Sequence, residues 1–290
     1  MSTDFQRDEI LVPEGQKKPQ LHTSGMSRLL MCGVDWSYRN VDHLPETPTF
    51  RLLEGTAVHR AAETALRRKA LGALAEVEEL IQIARDELES AATTQGARLL
   101  DDELAAGLEA RKGRAIDYVT GAAELLAEEV VPAIDPIDED HVEWRWVVEL
   151  PDRPFDLAGT CDAIEKDGTV TDLKTKTGAP KSAEADQSEQ LSWYALARKV
   201  HTGAIPPAMR LMHIVRTPKQ AKTYLKIQPT VRDEGDIVTA GMRIDRAMQS
   251  IQSGVFLPAA AGSWKCSKNY CNWFGMCPYS YKRVQVGAGD

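Results

Sequence analysis

Two short stretches, Gly159-Thr-Cys-Asp162 and Thr171-Asp172-Leu173-Lys174, constrain this chain more than any other feature. They fall within two predicted strands, Leu157 to Ile164 and Thr169 to Thr175, joined at Lys166-Asp167-Gly168. A hairpin of this kind fixes which residues face each other. A two-residue loop would oppose residues whose numbers sum to 335, leaving Asp162 across from Leu173 and on the wrong face. A three-residue loop gives pairs summing to 334 and sets Asp162 opposite Asp172 with both side chains on one face. Gly168 then takes the left-handed third loop position, where glycine is favoured. The sequence therefore predicts the three-residue loop. Asp172 and Lys174 lie two apart and share a face, Leu173 points into the core, and Cys161 sits opposite Asp162 as a small core residue.

Two facing carboxylates repel unless a cation lies between them. Oxygen ligands suit Mg²⁺ or Mn²⁺, and such an ion can polarise a phosphate and activate a water. Lys174 beside it can orient or deprotonate that water, or offset charge developing on the phosphate. The plainer alternative is a structural ion pair between Asp172 and Lys174.

The surrounding pattern predicts an α/β chain, a mixed central sheet flanked by helices. Residues 1–20 read as a flexible tail. His22 to Asn40 reads as one short helix. A second helix begins near Glu54, and its apolar steps Leu66, Ala70, Leu74, Val77, Ile81, Ala84 and Leu88 run without a break up to Thr93-Thr94-Gln95-Gly96. A further helix carries Leu104 to Val130, and the two form an antiparallel helical hairpin, an insertion over 61–131. Val142 to Glu149 alternates, with Val142, Trp144, Trp146 and Val148 on one face and Glu143 on the other. Ser182 to His201 is a helix, Met209 to Arg216 and Lys222 to Gln228 are strands, and Thr230 caps a helix that stops at Gly254. Residues 21–290 form one domain, with 258–290 as an irregular cysteine-bearing segment.

The 290 residues carry a formal net charge of −8, which argues against a protein that coats nucleic acid. The acidity is local, however. Ala75 to Val130 holds 14 acids and 5 bases, so the rest of the chain is nearly neutral. That charge run reads as the solvated face of the hairpin, or as a protein contact or channel wall. No apolar run approaches the length needed to span a bilayer, and the polar start lacks a secretory pattern. A cytoplasmic location with reduced thiols is expected.

Gly55-Thr-Ala-Val-His59 opens a helix ahead of the sheet, and Gln190-Leu-Ser-Trp-Tyr194 puts Gln190 and Tyr194 on one face of the helix after it. Taken alone, His59 is an ordinary helix histidine and the second motif an ordinary amphipathic helix. Together, Gly-x3-His, Gly-x2-Asp, Asp-x-Lys and Gln-x3-Tyr, in this order from about Ser24 to Tyr279, resemble the RecB-type nucleases of the PD-(D/E)xK superfamily. These include the RecB and AddB nuclease domains and the CRISPR-associated RecB-like exonucleases. The resemblance implies a restriction-endonuclease-like fold. It implies that His59, Asp162, Asp172 and the backbone carbonyl of Leu173 hold a Mg²⁺ or Mn²⁺ ion, that Lys174 is the catalytic lysine, and that Gln190 and Tyr194 support the site and contact DNA. Glu143 matches a less regular acidic position of the family.

Five cysteines in a cytosolic chain point to metal or chemistry rather than disulfides. Cys266-x4-Cys271-x5-Cys277 leaves a four-ligand site one short. Ser27-Arg-Leu-Leu-Met-Cys32 resembles the segment holding the remote N-terminal cysteine of the iron–sulfur RecB-type nucleases, which implies Cys32 as the fourth ligand. Four thiolates suit zinc or an iron–sulfur cluster, and the resemblance implies [4Fe–4S]. The family's first gap is two residues, whereas here it is four. A cluster would clip the two ends of the chain together.

The expected function is a metal-dependent DNA nuclease, an exonuclease on single-stranded ends. Lys176 and Lys181 would track the backbone, and Trp193 or Tyr194 would stack on a base unless buried. The alternatives are a non-catalytic DNA-binding or assembly module that keeps the fold, and a zinc-stabilised regulatory protein. No helicase motif is present, so a motor would be a separate chain.

Overall fold

A computed structural model describes residues 18–217 and 223–280. Of the predicted tail, residues 1–17 lie outside the described residues, as do Lys222 and the last ten residues of the cysteine segment.

Strands β3 (Asp156–Ile164) and β4 (Val170–Thr177) form the predicted hairpin. The loop closes with Gly168 N–H on the Glu165 carbonyl at 2.8 Å and Glu165 N–H on that of Thr169 at 2.9 Å. Gly168 has φ +87°, which a side chain would strain. The pairs Ile164↔Val170 and Ala163↔Thr171 are those of the three-residue loop. Past Thr171 the regular ladder stops. Asp162 itself takes over, its Oδ2 accepting the Leu173 N–H at 2.6 Å.

Strand β2 (Val142–Val148) runs antiparallel along one whole edge of β3. Strand β1 (Gln20–His22) pairs parallel with Asp156 to Ala158. With one edge occupied, β1 and β4 must share the other, one at each end of β3. Residues 159–162 between them ladder with neither. β4 continues parallel to β5 (Met209–Arg216), reached through helix α7 (Glu189–Thr202), and β5 pairs antiparallel with β6 (Thr223–Thr230). The result is a mixed six-stranded sheet, with helices on both faces as expected.

One face carries α3 (Phe50–Ala70), α4 (Val77–Gln95) and, after the one-turn α5 (Asp101–Leu104), α6 (Gly107–Leu125), packed on Val142, Ala163, Leu173, Met212 and Ile214. The other carries α1 (Thr23–Met31), α2 (Gly33–Asn40), α7 and α8 (Glu234–Ser253), packed on Trp146, Leu157, Cys161, Val170 and Leu211. Cys161 is buried in that second core, as its strand position predicts.

Four local expectations are corrected. The helix predicted over His22 to Asn40 is two, broken at Cys32, whose backbone is extended (φ −162°, ψ 101°). The C-terminal segment causes the break. Gly33 N–H donates to the Leu257 carbonyl at 2.7 Å, and a Cβ on Gly33 would lie 2.9 Å from Leu257 N. The long helix through Leu74 is also two. Gly72 turns at φ +80° and Leu74 is 77% exposed, so its helical spacing there was coincidental. The chain reverses and α4 lays Leu80, Ala84 and Leu88 back on α3. Helix α7 starts at Glu189, because Ser188 caps it by accepting Leu191 N–H. Asp233, rather than Thr230, caps α8 in a reciprocal box with Asp236.

The acids of the helical region mostly face solvent, Glu76, Glu78, Asp86 and Glu89 among them. Glu103 is the exception. It is buried with Glu54 about Arg111, which reaches both carboxylates at 2.5 and 2.6 Å. No described helix is long and apolar enough to cross a membrane.

Candidate active site and cysteine pocket

The gap between β1 and β4 is where the polar residues gather. Gly159 opens it. A Cβ there would meet Trp146 Cζ2 at 2.4 Å, so only glycine lets the indole lie across β3. Gly55 works in the same way on α3, where a Cβ would come within 3.0 Å of Thr175 Oγ1 on β4. One turn on, His59 comes within reach of the gap and its Nδ1 lies 2.8 Å from Asp162 Oδ1.

Glu143, on β2 opposite Asp162, completes a group. Ligand atoms of His59, Glu143 and Asp162 all lie within 4.8 Å of one another. Glu143 adopts φ +52°, a left-handed conformation rare for a residue with a side chain. That twist explains another departure. Val142 packs in the α3 core, whereas Trp146 and Val148 pack in the α7 core, so the predicted common face of β2 breaks at Glu143. Sequence periodicity could not show this, because a single positive φ resets the alternation. The available signal was the family resemblance at Glu143.

On the other side of the gap, Asp172 is 2% exposed. Its Oδ2 lies 2.6 Å from Lys174 Nζ, and its Oδ1 lies 3.2 Å from the Tyr194 hydroxyl. Lys174 also donates to Gln190 Oε1 at 2.8 Å. Gln190 Nε2 in turn donates to the Tyr194 hydroxyl at 2.5 Å, and that hydroxyl bonds the Thr160 carbonyl at 2.6 Å. Gln190 and Tyr194 sit one turn apart on α7, so this helix braces both the acid and the lysine. Asp172 is outside the tight three-residue group, being turned to Lys174. Leu173 is buried, with its N–H engaged by Asp162.

The electrostatics are those of a crowded acid site. The Asp162 carboxylate raises the His59 imidazole to about 9, against an opposing effect of burial. Burial, then the neighbouring Asp162, pushes Glu143 up to about 8. Burial also raises Asp172. Burial opposes ionisation of Asp162, but His59, Lys174 and the Leu173 N–H outweigh it and hold Asp162 low. Burial pulls Lys174 down, yet Asp172 and Asp162 reverse this and hold it protonated. Nitrogen and carboxylate donors packed this closely fit a hard divalent cation, which would displace the protons on His59 and Glu143.

The remaining predicted contacts fall less uniformly. Lys176 is paired with Glu184, and the Lys181 N–H points to the same carboxylate. Trp193 and Tyr194 are fully buried. Neither ring has a face to offer a base, so Trp193 is core and Tyr194 meets the site only through its hydroxyl, which reaches Asp172. His213 is a buried neighbour that sequence reasoning missed. It stands beside Lys174 in parallel register, and its Nε2 meets Gln228 Oε1 at 3.1 Å.

Cys32, Cys266, Cys271 and Cys277 line one cavity with Asp35, Tyr38 and Lys265, and all are free thiols. The chain ends are tied together around it by Gly33–Leu257, by Asp35 and Lys265 at 3.2 Å, and by the Tyr38 and Trp273 rings at 5.6 Å. Burial raises the Cys32 thiol and pushes Cys271 up to about 11.

No curated protein matches this sequence. A crystal structure described as "Putative exonuclease" from Eubacterium rectale is similar over 100% of this chain and 99% of that one, with a TM-score of 0.52 at 14% identity, a likeness of fold alone. A second structure, SSO0001, has a TM-score of 0.39 at 15% identity over 91% of this chain and 88% of that one, too low to argue from. The family model is more decisive: it matches residues 21–278, nearly the whole folded region, and the chain therefore belongs to the PD-(D/E)XK nuclease superfamily.

Proposed function

We propose that this protein is a RecB-like, Mg²⁺- or Mn²⁺-dependent DNA nuclease that removes nucleotides from single-stranded ends. The observation that carries the reading is the convergence of His59, Glu143 and Asp162 on one point, with Lys174 held against Asp172 beside it. The exonuclease mode draws on the resemblance and on the description of the Eubacterium rectale protein as a "putative exonuclease". His59, Glu143, Asp162 and Asp172 would hold the ion, joined by the Leu173 carbonyl. The ion supplies Lewis-acid polarisation of the scissile phosphate and a more acidic water. Lys174, kept as an ammonium by its carboxylates, orients the attacking water and offsets charge on the phosphate oxygens. Gln190 fixes its Nζ, and Tyr194 fixes Asp172. Both act as positioning residues, and Lys176 and Lys181 border the site on the DNA side.

The cysteine pocket is proposed to hold a [4Fe–4S] cluster. Its support is the meeting of four free thiols in one cavity, a donor set that suits zinc or an iron–sulfur cluster, and the choice of the cluster draws on the resemblance. Its part is to lock α1–α2 to the C-terminal segment. A cytoplasmic setting, and a protein partner on the acidic helices, belong to the same proposal.

Incubation with end-labelled single- and double-stranded DNA, with Mn²⁺ or with chelator, tests the activity. Chelator-sensitive release of nucleotides from single strands supports the proposal. DNA binding without cleavage would instead identify a non-catalytic module. Visible absorption with bound iron supports the cluster, and a colourless zinc-bearing protein overturns it.

A further inference from the structure

Beyond the cleavage site, α7 carries a second polar–aromatic constellation. Gln190 and Tyr194 begin a stripe that continues through Arg198, about 12 Å beyond Gln190 along the helix, and on to His201. There the Arg198 guanidinium lies over the Trp144 ring, 5.2 Å from its centroid. His201 meets the same ring edge-on at 5.4 Å, its Nδ1 tied to the Ala197 carbonyl at 2.8 Å. Trp144 directly follows Glu143 and is half-buried. It stands on β2, which pairs with β3 alone among the described strands, so the group sits at an open sheet edge.

Arg198 is the informative residue. Two other arginines of this face have acids: Arg243 has Glu189 and Arg153 has Asp245. Among the described residues Arg198 has no carboxylate and no hydrogen-bond acceptor. Burial alone dominates its environment and lowers its proton affinity. A guanidinium that is partly desolvated, held flat by an aromatic ring and left without an anion is prepared to receive one. Its planar edge suits a phosphate and its exposed face suits a base.

We propose that Trp144 and Arg198 form a subsite for one nucleotide of a single-stranded nucleic acid, flanking the phosphate held at the His59–Glu143–Asp162 group. The inference rests on the nuclease reading and adds a further contact for the substrate, at the open edge of β2 beyond the cleavage gap. Arg198 receives the flanking phosphate, while Trp144 holds the guanidinium in place.

The test is fluorescence anisotropy of the full chain with labelled oligothymidylate in chelator, across a salt series, for the unmodified protein, Arg198→Gln, Arg198→Lys and Lys199→Gln. Arg198→Gln should weaken binding about tenfold, as for one charged hydrogen-bonded contact. It should also reduce the slope of log affinity against log salt by about 0.7, the value for one phosphate on a single strand. Arg198→Lys should restore the slope. Lys199→Gln removes an equal charge one residue away, from a lysine already paired with Glu234, and should change neither. Hydrolysis of a dinucleotide with Mn²⁺, which has no flanking phosphate, reports on the cleavage gap alone and should proceed in the unmodified protein. Unchanged affinity and slope in Arg198→Gln overturn the subsite, as does an equal loss in Lys199→Gln. An equal loss on a duplex overturns the single-strand assignment. Failure of the nuclease reading shows separately, as an unmodified chain that binds the oligonucleotide but leaves it and the dinucleotide intact, and it removes the flanking role with it.

Discussion

Glu143 should cost the metal-free protein stability that it returns only when an ion binds. Its carboxyl is pushed from 4.5 up to about 8 by burial and by Asp162. Such a group takes up a proton on folding, so the folded state loses stability as pH rises from about 4.5 to about 8, and the loss is complete above that range. At pH 7 the shift corresponds to roughly 3 kcal/mol. Glu143 is only partly buried, and solvent screening reduces the expected figure to about 2 kcal/mol. Glu143→Gln keeps the shape and removes the charge. In chelator it should unfold in urea with a stability about 2 kcal/mol above the unmodified protein at pH 7, and with little difference near pH 4.5. Adding Mn²⁺ should reverse the order. At about 100 times its dissociation constant the ion stabilises the unmodified chain by ~2.7 kcal/mol, and each tenfold loss of affinity in the variant removes ~1.4 of that. A variant less stable than its parent in chelator at pH 7, or one with an undiminished response to Mn²⁺, would refute the placing of this carboxylate in an ion site.

Other outcomes follow from the same geometry. Lys174→Ala and Asp172→Ala should each abolish DNA hydrolysis while the circular dichroism spectrum stays folded; near-normal cleavage by either would count against the assignment. Tyr194→Phe strips a partner from Gln190, the Thr160 carbonyl and Asp172, and should cost about 1–3 kcal/mol in urea unfolding and lower kcat with oligonucleotide affinity unchanged. Because His59 sits near 9 and must lose its proton to bind a cation, calorimetric Mn²⁺ affinity should climb as pH rises toward 9, and a flat profile would speak against His59 as a ligand. Arg111→Met leaves Glu54 and Glu103 buried without their cation and should lose about 3–5 kcal/mol of stability, with a smaller loss showing that the pair is relieved by solvent.

The hairpin was legible because it is local. Gly168 fixes a turn and the turn fixes the register through Ala163↔Thr171, but the expected Asp162–Asp172 pair is not formed, because Asp162 leaves the ladder to accept the Leu173 N–H. The positions of Cys161, Leu173 and the Gly254 helix stop were legible for similar reasons. What the sequence hid was decided over long range. Helix periodicity ran straight through Cys32 and Leu74, because nothing nearby reveals that Leu257 will press on Gly33, or that α4 must fold back to cover α3. Glu143 was visible only by likeness to a family, since its role depends on one backbone angle. For Trp193 and Tyr194 the sequence left base stacking and burial both open, with burial favoured for Trp193, and the depth of α7 against the sheet buries both.

The two motif glycines have a further consequence. Gly55 and Gly159 are points of close approach, the first between α3 and Thr175 and the second between Trp146 and β3, and each precedes its functional side chain by a fixed count. They act as the zero marks of two rulers. Inserting one residue between Gly55 and His59 would swing the imidazole about 100° around the helix axis and aim it away from Asp162, with every chemical group still present. Evolution can therefore vary the residues inside these intervals far more freely than their lengths.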